Sequence, residues 1–154
     1  MSGTRSLKTL YSTQLKGEAY TPTRSPEAKP FWDGCRQGVL RLPHCNACGL
    51  FHFYPRRFCP FCDSIDIAWA EASGKGTVYT YAIVRQPIEA AYAALVPYCI
   101  AVVELAEGVR MLTRITGDVE AVACGKPVRV NFEALSPALT IPVFQLDGEG
   151  ESHA

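Results

Sequence analysis

The sequence has no apolar run long enough to cross a bilayer. Its longest nearly apolar stretch, Ala90 to Val103, is 14 residues and contains Pro97, against the roughly 20 that a spanning helix needs. No apolar segment follows the first Met, so no secretory signal is expected and the reading is of a soluble, cytoplasmic protein without a membrane. There is no excess of charge of either sign: 15 Lys and Arg balance 15 Asp and Glu. A nucleic-acid module usually shows itself as a basic domain, so nucleic acid is not the expected partner. Internal repeats are missing. So are a Gly-rich phosphate loop, a His-Glu-x-x-His helix and a Gly-x-Ser-x-Gly elbow. With nearly half its residues apolar and a fifth charged, the chain is nevertheless ordinary globular material.

What is present is unevenly distributed. Residues 1–76 carry ten basic against six acidic side chains, and residues 77–154 carry five against nine. Seven cysteines is an odd number, which suits neither export nor a disulfide framework. Four of them form Cys45-x2-Cys48, ten intervening residues, then Cys59-x2-Cys62. A two-residue gap lets both thiolates of one turn face a single ion, and two such turns complete a tetrahedron. That donor set suits structural Zn(II), with iron as the other possibility. Four free thiols or a redox pair would not explain the doubled spacing. All four positions would be filled by protein, leaving no open site for chemistry. Gly49 fits the exit of the first knuckle, and Asp63 holds the same place in the second. His44 and His52 lie nearby as weaker ligand candidates. Cys35, Cys99 and Cys124 read as small buried apolar residues.

Along the chain, Met1 to Thr21 reads as a polar arm with a helical stretch at Leu7–Leu15. Ser25-Pro26-Glu27 is a helix start, and the helix should end at Gly38, kept short or kinked by Pro30. Short strands are expected at Val39–Leu42, Leu50–Tyr54 and Ile65–Glu71. Beyond the Gly74-Lys75-Gly76 break, strands are expected at Thr77–Arg85, Tyr98–Leu105, Val109–Ile115, Pro127–Glu133 and Ile141–Leu146. A hairpin turn falls at Glu107-Gly108, and one or two helical turns lie between Asp118 and Cys124. Glu104 and Glu107 could form an acid pair, but a solvated turn is the better reading. Five strands with a small helix between the third and fourth is the layout of an OB-type barrel; strand counting alone leaves a small sandwich open. The fold class is therefore mainly β, a short helical lead, a zinc ribbon and a five-stranded OB-fold barrel. The divisions are 1–38 for arm and helix, 39–73 for the ribbon, 74–147 for the barrel and 148–154 for a loose tail.

Four cationic groups, Arg56, Arg57, Lys75 and Arg85, lie around the ribbon–barrel junction, and aromatics Phe51, Phe53, Tyr54, Phe58 and Phe61 interleave with two of them. Such a set could hold a nucleic acid by stacking and phosphate contact, or the phosphates and adenine of coenzyme A. Equally, a small ribbon needs aromatics to fill its core.

The series Phe31-Trp32, Gly38-x-Leu40, Cys45-x-x-Cys48-Gly49, Tyr54-Pro55-Arg56, Cys59-Pro60-x-Cys62 and Gly74-x-Gly76-x-Val78-x-Thr80 resembles the rubredoxin-like zinc ribbon plus OB-fold family. Pro97-Tyr98, Glu104-Leu105-x-Glu107-Gly108-x-Arg110 and Gly125-Lys126-Pro127-Val128 continue the match, which covers residues 24–146. The family was long catalogued as a domain of unknown function. Its members accompany thiolases and other acyl-CoA enzymes. The resemblance implies a non-catalytic accessory subunit that binds a thiolase-like or ketoacyl-synthase-like catalytic chain and helps bind or channel an acyl-CoA thioester. It also admits an acyl-CoA hydratase or aldolase partner. The four ligand cysteines carry over directly. Arg56, Arg57, Lys75 and Arg85 are CoA-binding candidates on chemistry alone. A nucleic-acid-binding ribbon and barrel is the competing reading, and the balanced charge opposes it.

Overall fold

The structure, a computed structural model, describes residues 24–87 and 93–148. The arm up to Thr21, with its helical stretch at Leu7–Leu15, and the tail beyond Gly148 lie outside the described residues.

The chain enters through a 3-10 turn, Pro26–Ala28, that runs into helix α1, Lys29–Gln37. Pro30 sits in the first turn of α1, where a missing N–H costs nothing. That explains the break between the two helical pieces. Ser25 does not cap with its hydroxyl; its backbone carbonyl takes the Ala28 N–H instead. Gly38, in the left-handed conformation, ends α1 and returns its N–H to Cys35.

Two short strands, β1 (Arg41–Cys45) and β2 (Ile67–Glu71), form the antiparallel ribbon, with Pro43 opposite Trp69 and Cys45 opposite Ile67. β1 begins two residues later than the sequence suggested and runs through Pro43. It can do so because the Pro43 carbonyl accepts from His52 N–H on the far side, where pairing is otherwise a single bridge between His44 and Phe51. The strand expected at Leu50–Tyr54 reduces to that bridge. Phe51 and Phe53 turn into the core rather than extending a ladder, and the chain then leaves toward the second knuckle.

The remaining strands are β3 (Lys75–Val84), β4 (Tyr98–Leu105), β5 (Arg110–Thr116), β6 (Pro127–Ser136) and β7 (Leu139–Leu146). They close a barrel in the order β3-β4-β5-β7-β6. The seam is closed by parallel pairing of Ile115 with Phe144 and antiparallel pairing of Gly76 with Val128. This is the OB arrangement that five strands had suggested, and it excludes the sandwich. The helix expected between the third and fourth barrel strands is one 3-10 turn, Val119–Ala121, whose Asp118 carboxylate caps Glu120 N–H at 3.0 Å. Gly76 is required by crowding: a Cβ there would lie 2.6 Å from the Glu104 carbonyl oxygen. That approach lets β3 bond β4 and β6 at once.

Alternation places Val109, Met111 and Ile115 inside and Arg110, Leu112 and Arg114 on the outward row. The buried apolar residues form one cluster that runs from Phe31 and Cys35 of α1, through Leu40 and Leu42, into Val78, Val103, Val128 and Phe144 of the barrel. Ribbon and barrel therefore share core rather than meeting across water. Ala72 N–H to Leu40 O, Val130 N–H to Gly74 O and Ser73 N–H to the Glu107 carboxylate fasten the junction. Glu104 is taken by Arg110 and Glu107 by Ser73 N–H, so each acid has a partner in the fold. Among the described residues no helix is long and apolar enough to cross a membrane.

Candidate metal centre and surrounding groups

The first knuckle follows β1 and the second precedes β2, so pairing of the two strands brings the knuckles face to face. The left-handed backbone at Gly49 (φ 74°) and Asp63 (φ 60°) turns each chain back after its second cysteine. Asp is one of the few side chains that tolerates this. Gly49 N–H bonds Cys45 O and Asp63 N–H bonds Cys59 O, so the two turns are near copies. Asn46 and Asp66 tie the ribbon across its base.

The result is four Sγ atoms within 4.8 Å of one another. Cys45 to Cys62 and Cys48 to Cys59 are each 3.6 Å. A disulfide needs about 2.05 Å, whereas the edge of a tetrahedron with Zn–S bonds of about 2.3 Å is about 3.8 Å. The spacing therefore fits a shared metal ion and not a cross-link. Phe61 N–H points at Cys59 Sγ. The Cys48 backbone N–H, with Ala47 and the Cys62 thiol assisting, holds the Cys45 thiol at about 7. Cys62 goes the other way. Although Ser64 N–H favours its thiolate, desolvation and the three neighbouring sulfurs push it up to about 12. Four sulfurs this close cannot all ionise unaided, and a divalent cation relieves that repulsion.

His44 is occupied by the Gly49 carbonyl at 3.1 Å, outside the sulfur cluster. Cys35 and Cys99 are buried, and burial raises Cys35 to about 12 and raises Cys99 as well. Cys124 corrects the sequence reading: it is exposed, because it follows the 3-10 turn in the loop before β6 and packs against no core.

The four cationic candidates do not gather into one anion site. Arg57 is paired with Glu27 at 2.5 Å, holding the helical entry against the ribbon, and Arg85 is paired with Glu120 at 2.7 Å. Lys75 opens β3 and Arg85 follows its end, so roughly 30 Å of strand separates them. Of the interleaved aromatics, Phe51 and Phe53 pack on the core, while Tyr54, Phe58 and Phe61 are exposed.

His52 is the residue that the sequence undervalued. It is 2% exposed, and neither ring nitrogen has a partner among the described residues. Burial, reinforced by the Arg56 charge, holds its pKa below the ordinary imidazole value. The unfolded chain therefore accepts a proton that the folded chain resists. Stability should fall as pH drops below about 6.5 and continue to fall until the lowered folded value is reached. Replacing His52 with Leu removes this contribution. Urea midpoints at pH 7 and pH 5 should then differ less for H52L than for the parent, and equal losses would exonerate His52.

Two family models match this chain. The ChsH2 rubredoxin-like zinc ribbon domain matches residues 32–66, and the ChsH2 C-terminal OB-fold domain matches residues 69–133. Among solved structures, a chain of the "Ltp2-ChsH2(DUF35) aldolase" superposes with a TM-score of 0.73 at 32% identity, covering 81% of this chain and 98% of that one. The chain belongs to the ChsH2/DUF35 zinc-ribbon and OB-fold family. A probable enoyl-CoA hydratase alpha subunit from Thermomonospora curvata is 36% identical over 75% of this chain and 36% of its own length. A DUF35 domain-containing scaffold protein from Methanocaldococcus jannaschii is 38% identical over 49% of this chain and 50% of its own. The chain thus spans about a third of the hydratase subunit and half of the scaffold protein. These relatives are named as a subunit, as a scaffold protein and as part of an aldolase.

Proposed function

We propose that the chain is a non-catalytic accessory subunit of an acyl-CoA complex, stabilising a separate catalytic chain and helping to bind or channel the thioester. The observation that supports it best is the near-complete coverage of a chain of the "Ltp2-ChsH2(DUF35) aldolase". Cys45, Cys48, Cys59 and Cys62 hold one Zn(II), which fixes the ribbon and supplies no chemistry because protein fills its coordination sphere. A hydratase or aldolase partner agrees with the relatives' names. A thiolase-like partner, which the sequence pattern suggested first, has its support in that pattern alone.

The test is reconstitution. The chain is mixed with candidate acyl-CoA hydratase and aldolase proteins from its own host, and each mixture is sized by gel filtration with light scattering. A stable hetero-complex at micromolar concentration is expected. Separate elution of two folded proteins would overturn the reading.

A further inference from the structure

Helix α1 lies across the barrel, and between them runs a groove of about 260 Å³. Trp32, Phe53 and Tyr54 form one wall; Leu112, Pro142 and Val143 form the other. The lips are unusual. Leu112 stands on the outward row of β5 at 71% exposure, and Tyr54 faces it at 41%. Trp32 and Arg114 belong to the walls, but Trp32 Nε1 and Arg114 Nε are sealed from solvent, without an acceptor among the described residues, and the Arg114 guanidinium is held by Glu133. What the groove presents to a ligand is therefore an apolar surface.

Trp32 is also a wall of a second hollow, lined by Arg24, Lys29 and Arg36 with Asp33 as its single carboxylate. Three cations against one acid leave it positive. The Arg24 guanidinium lies 5.9 Å from the Trp32 ring centroid and is steadied by the Ala138 carbonyl. An apolar groove therefore adjoins a cationic hollow, and the order of chemistry is apolar, then phosphate.

We propose that these two hollows bind coenzyme A, with the pantetheine arm in the groove and the phosphates on Arg24, Lys29 and Arg36. The inference rests on the acyl-CoA reading above and gives it a location away from Arg56, Arg57, Lys75 and Arg85. The groove has room for roughly nine groups of water size, enough for much of the arm and too little for the arm and a long acyl chain together. The dimethyl carbon of the arm packs on Leu112. The thioester end is left outside the groove, available to a catalytic partner.

Calorimetry on the zinc-loaded chain tests this with three probes: coenzyme A, pantetheine and adenosine 3′,5′-bisphosphate. A W69F variant, in which Trp32 is the remaining tryptophan, reports the groove by fluorescence. Coenzyme A should bind saturably and shift Trp32 emission. L112E should weaken coenzyme A and pantetheine at least tenfold. K29E should weaken coenzyme A and the bisphosphate by a similar factor and leave pantetheine unchanged. Both substitutions fall on exposed side chains, and K29E gives up only the surface pair with Asp33, so both variants should stay folded with melting curves close to the parent's. Absence of coenzyme A binding at millimolar concentration would overturn the proposal. Binding that is unaffected by L112E and K29E but lost in an R56E/K75E variant would overturn the groove while leaving the acyl-CoA reading intact. Failure of reconstitution with the catalytic chain would count against the accessory role instead.

Discussion

Replacing Cys59 with Ser should lower the metal content from one ion per chain to well below one and unfold the ribbon. Cys59 is fully buried, and its sulfur faces Cys48 at 3.6 Å. At the knuckle end of the ribbon, away from the core shared with the barrel, few other contacts are available. β1 and β2 are five residues each, and the loop between them contributes exposed Leu50, Phe58, Phe61 and Ile65. Structural zinc contributes an apparent 10–16 kcal/mol in small fingers at about pH 7, comparable with the roughly 5–15 kcal/mol that stabilises a whole domain. A ribbon of this size cannot replace that from its own core. Chelation of the parent should give the same state. Elemental analysis and thermal melting check the expectation, and a C59S chain with full metal and an unchanged melting curve would show that the four cysteines are not the site.

The second large effect is expected in the barrel. Phe144 is 0% exposed and stands where β7 meets both neighbours, opposite Val130 of β6 and level with Ile115 of β5. Truncation to Ala leaves a cavity at the seam that closes the barrel, and such changes cost about 3–5 kcal/mol. The urea midpoint should fall substantially, and the metal should stay bound at one per chain if the ribbon retains its knuckles. An unchanged midpoint would mean that Phe144 is not the core residue its burial indicates.

Much of this architecture was legible because local rules and tertiary packing agree. β4 falls on Tyr98–Leu105 as read, because its alternate residues Cys99, Ala101, Val103 and Leu105 are all buried. The knuckles were legible because their geometry is local: two residues between ligands, then a left-handed exit at Gly49 and Asp63. Reading failed where a partner distant in sequence decides. β3 starts at Lys75 because Arg129 and Val128 pair with Lys75 and Gly76. Leu50–Tyr54 looks like a strand, but Phe51 and Phe53 are claimed by the core. Cys124 has the composition of a packing residue and the position of a loop residue. The dispersal of Arg56, Arg57, Lys75 and Arg85 was invisible in the chain order, since Glu27 and Glu120, which claim two of them, lie 30 and 35 residues away. The groove beside Trp32 was hidden for the same reason: α1, the ribbon and β5 each supply part of it.

Turnover measured with and without the catalytic chain addresses the accessory role most directly. The purified, zinc-loaded protein is incubated with acyl-CoA substrates for hydration, retro-aldol cleavage and thiolysis, first alone and then with the partner that it binds. No turnover above background by the isolated chain is expected, together with a rate in the complex that falls when this subunit is withdrawn. Robust turnover by the isolated chain, or a partner indifferent to its presence, would contradict an accessory role.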